Sequence, residues 1–228
     1  LGSSLGQLNQ IDIQNMSQQN KDFASGQAQA ATSGGLAVIA VSCGDGLDNL
    51  FREVGCAVVV SGGQTMNPSV RDILEAVESA GGDDTIILPN NKNVVAAAKQ
   101  AAEAKMGIHV VPSNTMPQGV AAMLAFNPEE SVENNLESMT AAIAGIVTIA
   151  VTKAVRSTTS GNVKVATGQY ISLLEGEIVL AGDTAEQVLE SALSQSGLSS
   201  GHIVTLYLGE DADLEGAKGM SQRLQLEY

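Results

Sequence analysis

The sequence predicts an α/β protein: a doubly wound parallel sheet followed by a smaller α+β region with a mixed or antiparallel sheet. Three observations predict it. Between residues 36 and 126, apolar runs starting near positions 36, 57, 85 and 107 alternate with helical patterns. That rhythm implies right-handed crossovers and a sheet covered on both faces. The chain is 44% hydrophobic but only 3% aromatic, with no Trp. Its core must therefore come from Val, Ile, Leu, Ala and Met, as in buried parallel strands. Beyond residue 146 the runs shorten and are punctuated by tight glycine turns, which signals hairpins.

The elements follow in order. Residues 1–13 hold one short apolar run, too short to fold alone and expected to be the last strand of something preceding; a start at Leu1, without Met, suggests a piece of a longer chain. Residues 14–35 are Gln, Ser, Ala, Gly and Asn without a sustained period, the composition of a flexible linker. A parallel domain is expected over 36–130. Its first unit joins the run 36–42 to a helix carrying Leu47, Leu50, Phe51 and Val54 at i, i+3, i+4, i+7 spacing. Three further βα units run over about 56–80, 85–105 and 107–126, and Asn127-Pro128 breaks the pattern.

A second domain is expected over 131–228. Ser131 caps a helix with Val132, Leu136, Met139, Ile143 and Ile146 on one stripe, read as a bridge to this region. One strand is expected over 147–156, and another over 163–174, interrupted at Gly168. Glu175-Gly176 then turns tightly into the strand 177–181. Thr184 with Gln187 forms a capping box for a helix bearing Val188, Leu189, Ala192 and Leu193. A strand over 203–208 and a helix bearing Leu214, Ala217, Met220 and Leu224 complete the series, and a returning strand is expected after Tyr228.

Composition narrows the function. A net charge of −14 and a pI near 4.3 argue against nucleic acid and anionic membrane surfaces as partners. No apolar run reaches the roughly 20 residues of a membrane span, and no signal peptide is recognisable, so a cytoplasmic protein is expected. Cys43 closes the first strand and Cys56 opens the second, on the order of 20 Å apart in a parallel pair, too far for a disulfide. Neither pairs with His109 or His202 at metal-ligand spacing, so no metal site and no catalytic residue are assigned. Phosphate-loop, dinucleotide and nucleophile-elbow motifs are absent from the sequence.

What remains is three strand-end loops of one chemistry: Ser61-Gly62-Gly63-Gln64-Thr65-Met66-Asn67-Pro68-Ser69, Leu88-Pro89-Asn90-Asn91-Lys92-Asn93, and 111–119, which includes Ser113, Thr115 and Gln118. In the first, paired glycines turn the chain, Asn67 suits an N-cap and Pro68 the first helical position. All three are expected at the carboxyl edge of one sheet, where open parallel sheets dock ligands and partners. Gly62, Gly63, Gln64, Thr65, Asn67, Asn90, Asn91, Lys92, Ser113, Thr115 and Gln118 are the candidate binding residues. Neutral donors and helix N-termini suit a small anion, a polar ligand or a partner's backbone. The same residues also serve as ordinary caps and turn formers, and that alternative stands beside the first.

The segments LAVIAVSCGDGLDNLF, VVVSGGQTMNPSVRDIL, IILPNNKNVVAAAKQAA and VVPSNTMPQGVAAMLAFNP resemble the C-terminal region of bacterial dihydroxyacetone kinase-like proteins, the group containing the A-type component of fatty acid kinase. The opening LGQLNQIDIQNM resembles the end of that family's middle domain. The resemblance implies a modular kinase of phospholipid synthesis. ATP and Mg²⁺ would sit on an N-terminal domain outside this chain, a middle domain would join protomers into a possible homodimer, and the C-terminal region would be DegV-like. It further implies a separate fatty-acid-binding protein, the B-type component, that presents the acyl carboxylate for phosphorylation. On that basis this region is expected to bind a partner and, alone, to hold no cofactor and not to catalyse. The alternative is a dihydroxyacetone (glycerone) kinase-type domain holding a small ligand in the same loops. Such a site uses a His to capture the carbonyl, and neither His is expected in a strand-end loop.

Overall fold

Apolar runs become strands and striped segments become helices in the computed structural model, which describes residues 12–14, 35–62, 67–198, 202–209 and 212–227. Most of the linker expected over 14–35 lies outside these residues. Among the described residues, two compact units emerge: one spans 35–146, the other joins 147–227 to 12–14.

In the first unit four strands, β2 (Leu36–Ser42), β3 (Val58–Ser61), β4 (Asp84–Leu88) and β5 (Ile108–Val110), form a parallel sheet of order β3-β2-β4-β5. Five helices flank it: α1 (Asp45–Glu53), α2 (Val70–Ala80), α3 (Lys92–Ala104), α4 (Met116–Ala125) and α5 (Val132–Ala144). Alternation along β2 divides the packing. Ala37, Ile39 and Val41 face α2 and α3, through Ile73, Val77, Val94 and Ala98. Val38 and Ala40 face the opposite layer, where Phe51 of α1, Val120 and Met123 of α4 and Met139 and Ile143 of α5 pack. The sheet is thus doubly wound, as the βα rhythm requires. A buried Leu, Ile or Phe contributes about 1.5–3 kcal/mol here, and both layers are wholly aliphatic apart from Phe51, Phe126 and two sulphur-bearing residue types.

The strand order cannot be read from the order of the chain. The β3 to β4 crossover passes over β2, so β2 lies between the loop ending β3 and the loop ending β4. The three strand-end loops are on one edge but not in immediate succession, because neighbours in sequence need not be neighbours in the sheet.

In the second unit β6 (Ile149–Lys153), β9 (Tyr170–Leu174) and β10 (Glu177–Gly182) form an antiparallel sheet of order β10-β9-β6. The β9–β10 turn carries positive φ at both Glu175 (51°) and Gly176 (86°), as a two-residue hairpin demands. The interrupted strand expected over 163–174 proves to be two strands in different sheets. β8 (Val163–Val165) pairs with β7 (Thr158–Ser160), not with β9 or β6. Gly168, at φ 87°, donates its N–H to Ala154 O and swings the chain out of line before β9. Helix α6 (Ala185–Gln195) packs on this unit, capped by Thr184, whose Oγ1 accepts from Gln187 N–H at 3.2 Å. Leu193 of α6 packs with Met220 and Leu224 of α7 (Leu214–Glu227). The strand expected over 203–208 contracts to β11 (Thr205–Tyr207), which pairs in parallel with β1 (Asp12–Gln14).

Candidate functional site

The carboxyl edge of the parallel sheet is built from the strand ends outward. Gly62 donates its N–H to Ser42 O at 2.7 Å, fastening the end of β3 to the end of β2. From the other side Asn90 Nδ2 donates to Val41 O at 3.0 Å. Asn90 N–H donates to Ser113 Oγ at 3.1 Å, and the Ser113 hydroxyl donates back to Asn90 Oδ1 at 2.6 Å. Asn90 is only 3% exposed and sits at φ 54°, in the left-handed region that Asn tolerates better than most residues. Gly119 of α4 lies over it: a Cβ there would stand 2.6 Å from Asn90 Nδ2, so only Gly admits the Asn90 side chain. One asparagine therefore holds β2, the β4 loop, the β5 loop and α4 in a fixed relation.

The helix starts behind these loops are capped from within. Asn91 Oδ1 accepts from Asn93 N–H at 2.9 Å to start α3, and Thr115 Oγ1 accepts from Gln118 N–H at 3.3 Å to start α4. Gln118 Oε1 accepts from Asn114 N–H at 2.7 Å. For α2 the cap differs from the sequence expectation. It is Ser69, not Asn67, because Ser69 and Asp72 form a reciprocal box: Ser69 N–H and hydroxyl each reach Asp72 Oδ2 at 2.8 Å. Those two bonds, the backbone one foremost, hold the Asp72 carboxyl below its usual range. Pro68 is consequently outside the helix and buried, and Asn67 is left exposed.

The candidate residues thus separate into two groups. Asn90, Ser113 and Gln118 are buried and bonded within the edge. Asn67 and Lys92 are exposed, and Asn91 is half-buried. Gly63, Gln64 and Thr65 lie outside the described residues.

Sequence reasoning passes over two residues at the same edge. Ser42, at the end of β2, is fully buried, and Asp48, in the first turns of α1, is 9% exposed. Ser42 Oγ and Asp48 Oδ1 have no hydrogen-bond partner among the described residues. Between them lies Cys43, whose thiol is pushed up by burial and then by the Asp48 charge. Cys56, deeper in the layer, is pushed up to about 12 by burial alone. Both cysteines are free. His109 Nε2 and Asp84 Oδ1 stand 2.8 Å apart on the sheet, away from the strand-end loops. Among the described residues no group of three or more His, Cys, Asp or Glu could hold a metal ion, and no helix is long and apolar enough to cross a membrane.

Comparison with known proteins decides the family. The family model for the C-terminal part of proteins like the A component of fatty acid kinase (FakA-like) matches residues 37–228. The chain belongs to that family. Protein YloV of Bacillus subtilis is 35% identical over 230 residues, covering 98% of this chain and 42% of YloV. An uncharacterized protein of Staphylococcus haemolyticus, SH1689, is 32% identical over 240 residues, covering all of this chain and 43% of that protein. A third, SAUSA300_1119 of Staphylococcus aureus, is 28% identical over 232 residues, covering all of this chain and 42% of that protein. The chain spans about two-fifths of the length of these relatives. The family match reaches into both compact units and covers the latched edge, from Ala37 of β2 through β5.

Proposed function

We propose that this chain is the partner-docking region of a FakA-like fatty acid kinase component, and that the latched strand-end edge is its docking face. The partner is a fatty-acid-binding protein of B type. Its acyl carboxylate is phosphorylated by ATP held, with Mg²⁺, on a domain outside this chain, in the cytoplasm and in the service of phospholipid synthesis. The full-length protein works as a homodimer, and the fold of this region is DegV-like.

The observation that carries the reading is the division of labour at the edge. Asn90, Ser113 and Gln118 turn polar atoms inward and order the β4 and β5 loops, while Asn67 and Lys92 are exposed at the same edge. Preorganisation of this kind reduces the ordering cost of association. A phosphoryl-transfer centre, by contrast, needs metal-holding carboxylates and a phosphate cradle. Binding without chemistry is the role that the displayed residues support.

The experiment is to titrate the 228-residue chain against candidate fatty-acid-binding proteins by calorimetry, each loaded with fatty acid, with and without ATP. A stoichiometric complex is expected with ATP absent, and no acyl phosphate is expected with ATP present. Acyl phosphate formed by this chain and the partner alone would overturn the docking reading. The dihydroxyacetone-type alternative would show instead as direct binding of glycerone.

A further inference from the structure

The layer beneath α1 contains a feature that partner docking does not use. Ser42 follows Val38 and Ala40 at two-residue spacing, so it faces the same layer as α1. Asp48 precedes the fully buried Phe51 by three residues, which puts both on the sheet-facing side of α1. The hydroxyl and the carboxylate oxygen are both buried, and neither has a partner among the described residues. Native proteins rarely leave such buried polar atoms unpaired. Gly44, which precedes α1, brings no side chain to cap its first-turn N–H groups.

The topology supplies an independent pointer. From β2 the chain leaves through α1 on one face toward β3; from β4 it leaves through α3 on the other face toward β5. Outgoing connections that part to opposite faces open a crevice between the ends of those two strands, the switch point where doubly wound sheets bind small ligands. Ser42 ends one of these strands and Asn90 follows the other, with Asn90 Nδ2 bonded to Val41 O between them.

We propose that the head of β2 at this switch point, between Ser42, Asp48 and the first turn of α1, is a binding site for a small ammonium-bearing alcohol. The ammonium group donates to Asp48 Oδ1. The alcohol donates to Ser42 Oγ or accepts from the first-turn N–H groups of α1. An anion is disfavoured by Asp45 and Asp48 in that turn and by the net charge of −14. Cys43 borders the site and reports on it, since its thiol already senses Asp48.

The test uses the 228-residue chain and three probes of similar size: ethanolamine, ethylene glycol and acetate. Binding is followed by the shifts of the Cys43 to Asp48 amide signals in ¹H–¹⁵N spectra. Ethanolamine is expected to bind in the millimolar range, at least tenfold more tightly than ethylene glycol, with no saturable shift from acetate. Asp48→Asn, which keeps the shape and removes the charge, should weaken ethanolamine at least tenfold; Ser42→Ala should weaken it about threefold. Equal binding of ethanolamine and ethylene glycol, ethanolamine shifts that survive Asp48→Asn, or no binding at all, as for a pair satisfied by water alone, would each overturn the proposal. None of these outcomes depends on whether the edge docks a partner.

Discussion

Gly119→Ala is the sharpest perturbation of the strand-end edge, because an ordinary helix and this one call for opposite signs. In a free helix interior, Gly→Ala stabilises by about 1 kcal/mol. Here the new Cβ would stand on the Asn90 side-chain amide, 2.6 Å from Nδ2, and Asn90 is 3% exposed with no room to retreat. Overpacking costs about 1–3 kcal/mol. If Asn90 is driven out, Val41 O and the Ser113 hydroxyl lose its side chain, and each stranded buried group costs about 1–3 kcal/mol more. After subtracting the helix gain, a net loss of at least about 2 kcal/mol is expected. Asn90→Gly keeps the left-handed backbone and removes the obstruction, at about 2 kcal/mol for the lost bonds. The double variant should therefore fall short of the sum of the singles by at least about 1 kcal/mol, the mark of a contact. Urea unfolding followed by far-UV circular dichroism measures this. Tyrosine fluorescence serves as the control, since Tyr170 and Tyr207 belong to the second unit and the sequence has no tyrosine over 35–146. A neutral or stabilising Gly119→Ala, or strict additivity in the double variant, would refute the latch.

Asn135, 1% exposed, donates from Nδ2 to Asn127 O at 2.8 Å and accepts from Asn127 N–H at 2.8 Å; Asn135→Ala should lose about 2–3 kcal/mol in the same unfolding assay, and a loss under about 0.5 would contradict its role as the hub of the α4–α5 turn. The Asp72 carboxyl is held below its usual value of 3.8, so its contribution to the α2 cap is complete above that pH and is lost as pH falls through the depressed folded value. Melting of the parent and of Asp72→Asn should accordingly converge only below about pH 3.8, and convergence near neutrality would contradict the cap. Burial raises both thiols, Cys56 to about 12, so at about pH 8 a disulfide reagent should label the native chain far more slowly than the urea-unfolded chain. Equal rates would show the thiols to be exposed.

The four βα units are legible in the sequence because each carries a local signal: an apolar run of strand length and a helical stripe, with a capping side chain before α2, α3 and α4. Asn91 and Thr115 announce α3 and α4 by chemistry that acts within three residues. Sheet order has no local signal, so nothing in the run Val58–Ser61 states that β3 lies outside β2. The cap of α2 is ambiguous in sequence because Asn67-Pro68 and Ser69 with Asp72 both satisfy capping rules, and only the reciprocal bonds decide between them. In the second unit β7 is three polar residues, Thr158–Ser160, without the apolar alternation that marks a strand. Ser42 and Asp48 escape notice for a different reason: a serine at a strand end and an aspartate in a first helical turn are ordinary, and only burial without partners distinguishes them.

The most direct test of docking at the latched edge is to measure partner affinity and melting together on Asn67→Ala, Asn91→Ala and Lys92→Ala. Exposed substitutions shift stability by under about 0.5 kcal/mol, or about 1 when a cap such as Asn91 is removed. A desolvated contact in an interface loses about 2 kcal/mol or more. Calorimetry against the fatty-acid-binding partner should show at least one of the three weakening binding by about thirtyfold while its melting temperature stays within a few degrees of the parent. The Lys92→Ala loss should shrink as salt rises, as steering of an acidic partner by charge requires. Affinities unchanged across all three variants, with melting lowered only for Asn91→Ala, would show that these residues cap helices and do nothing else.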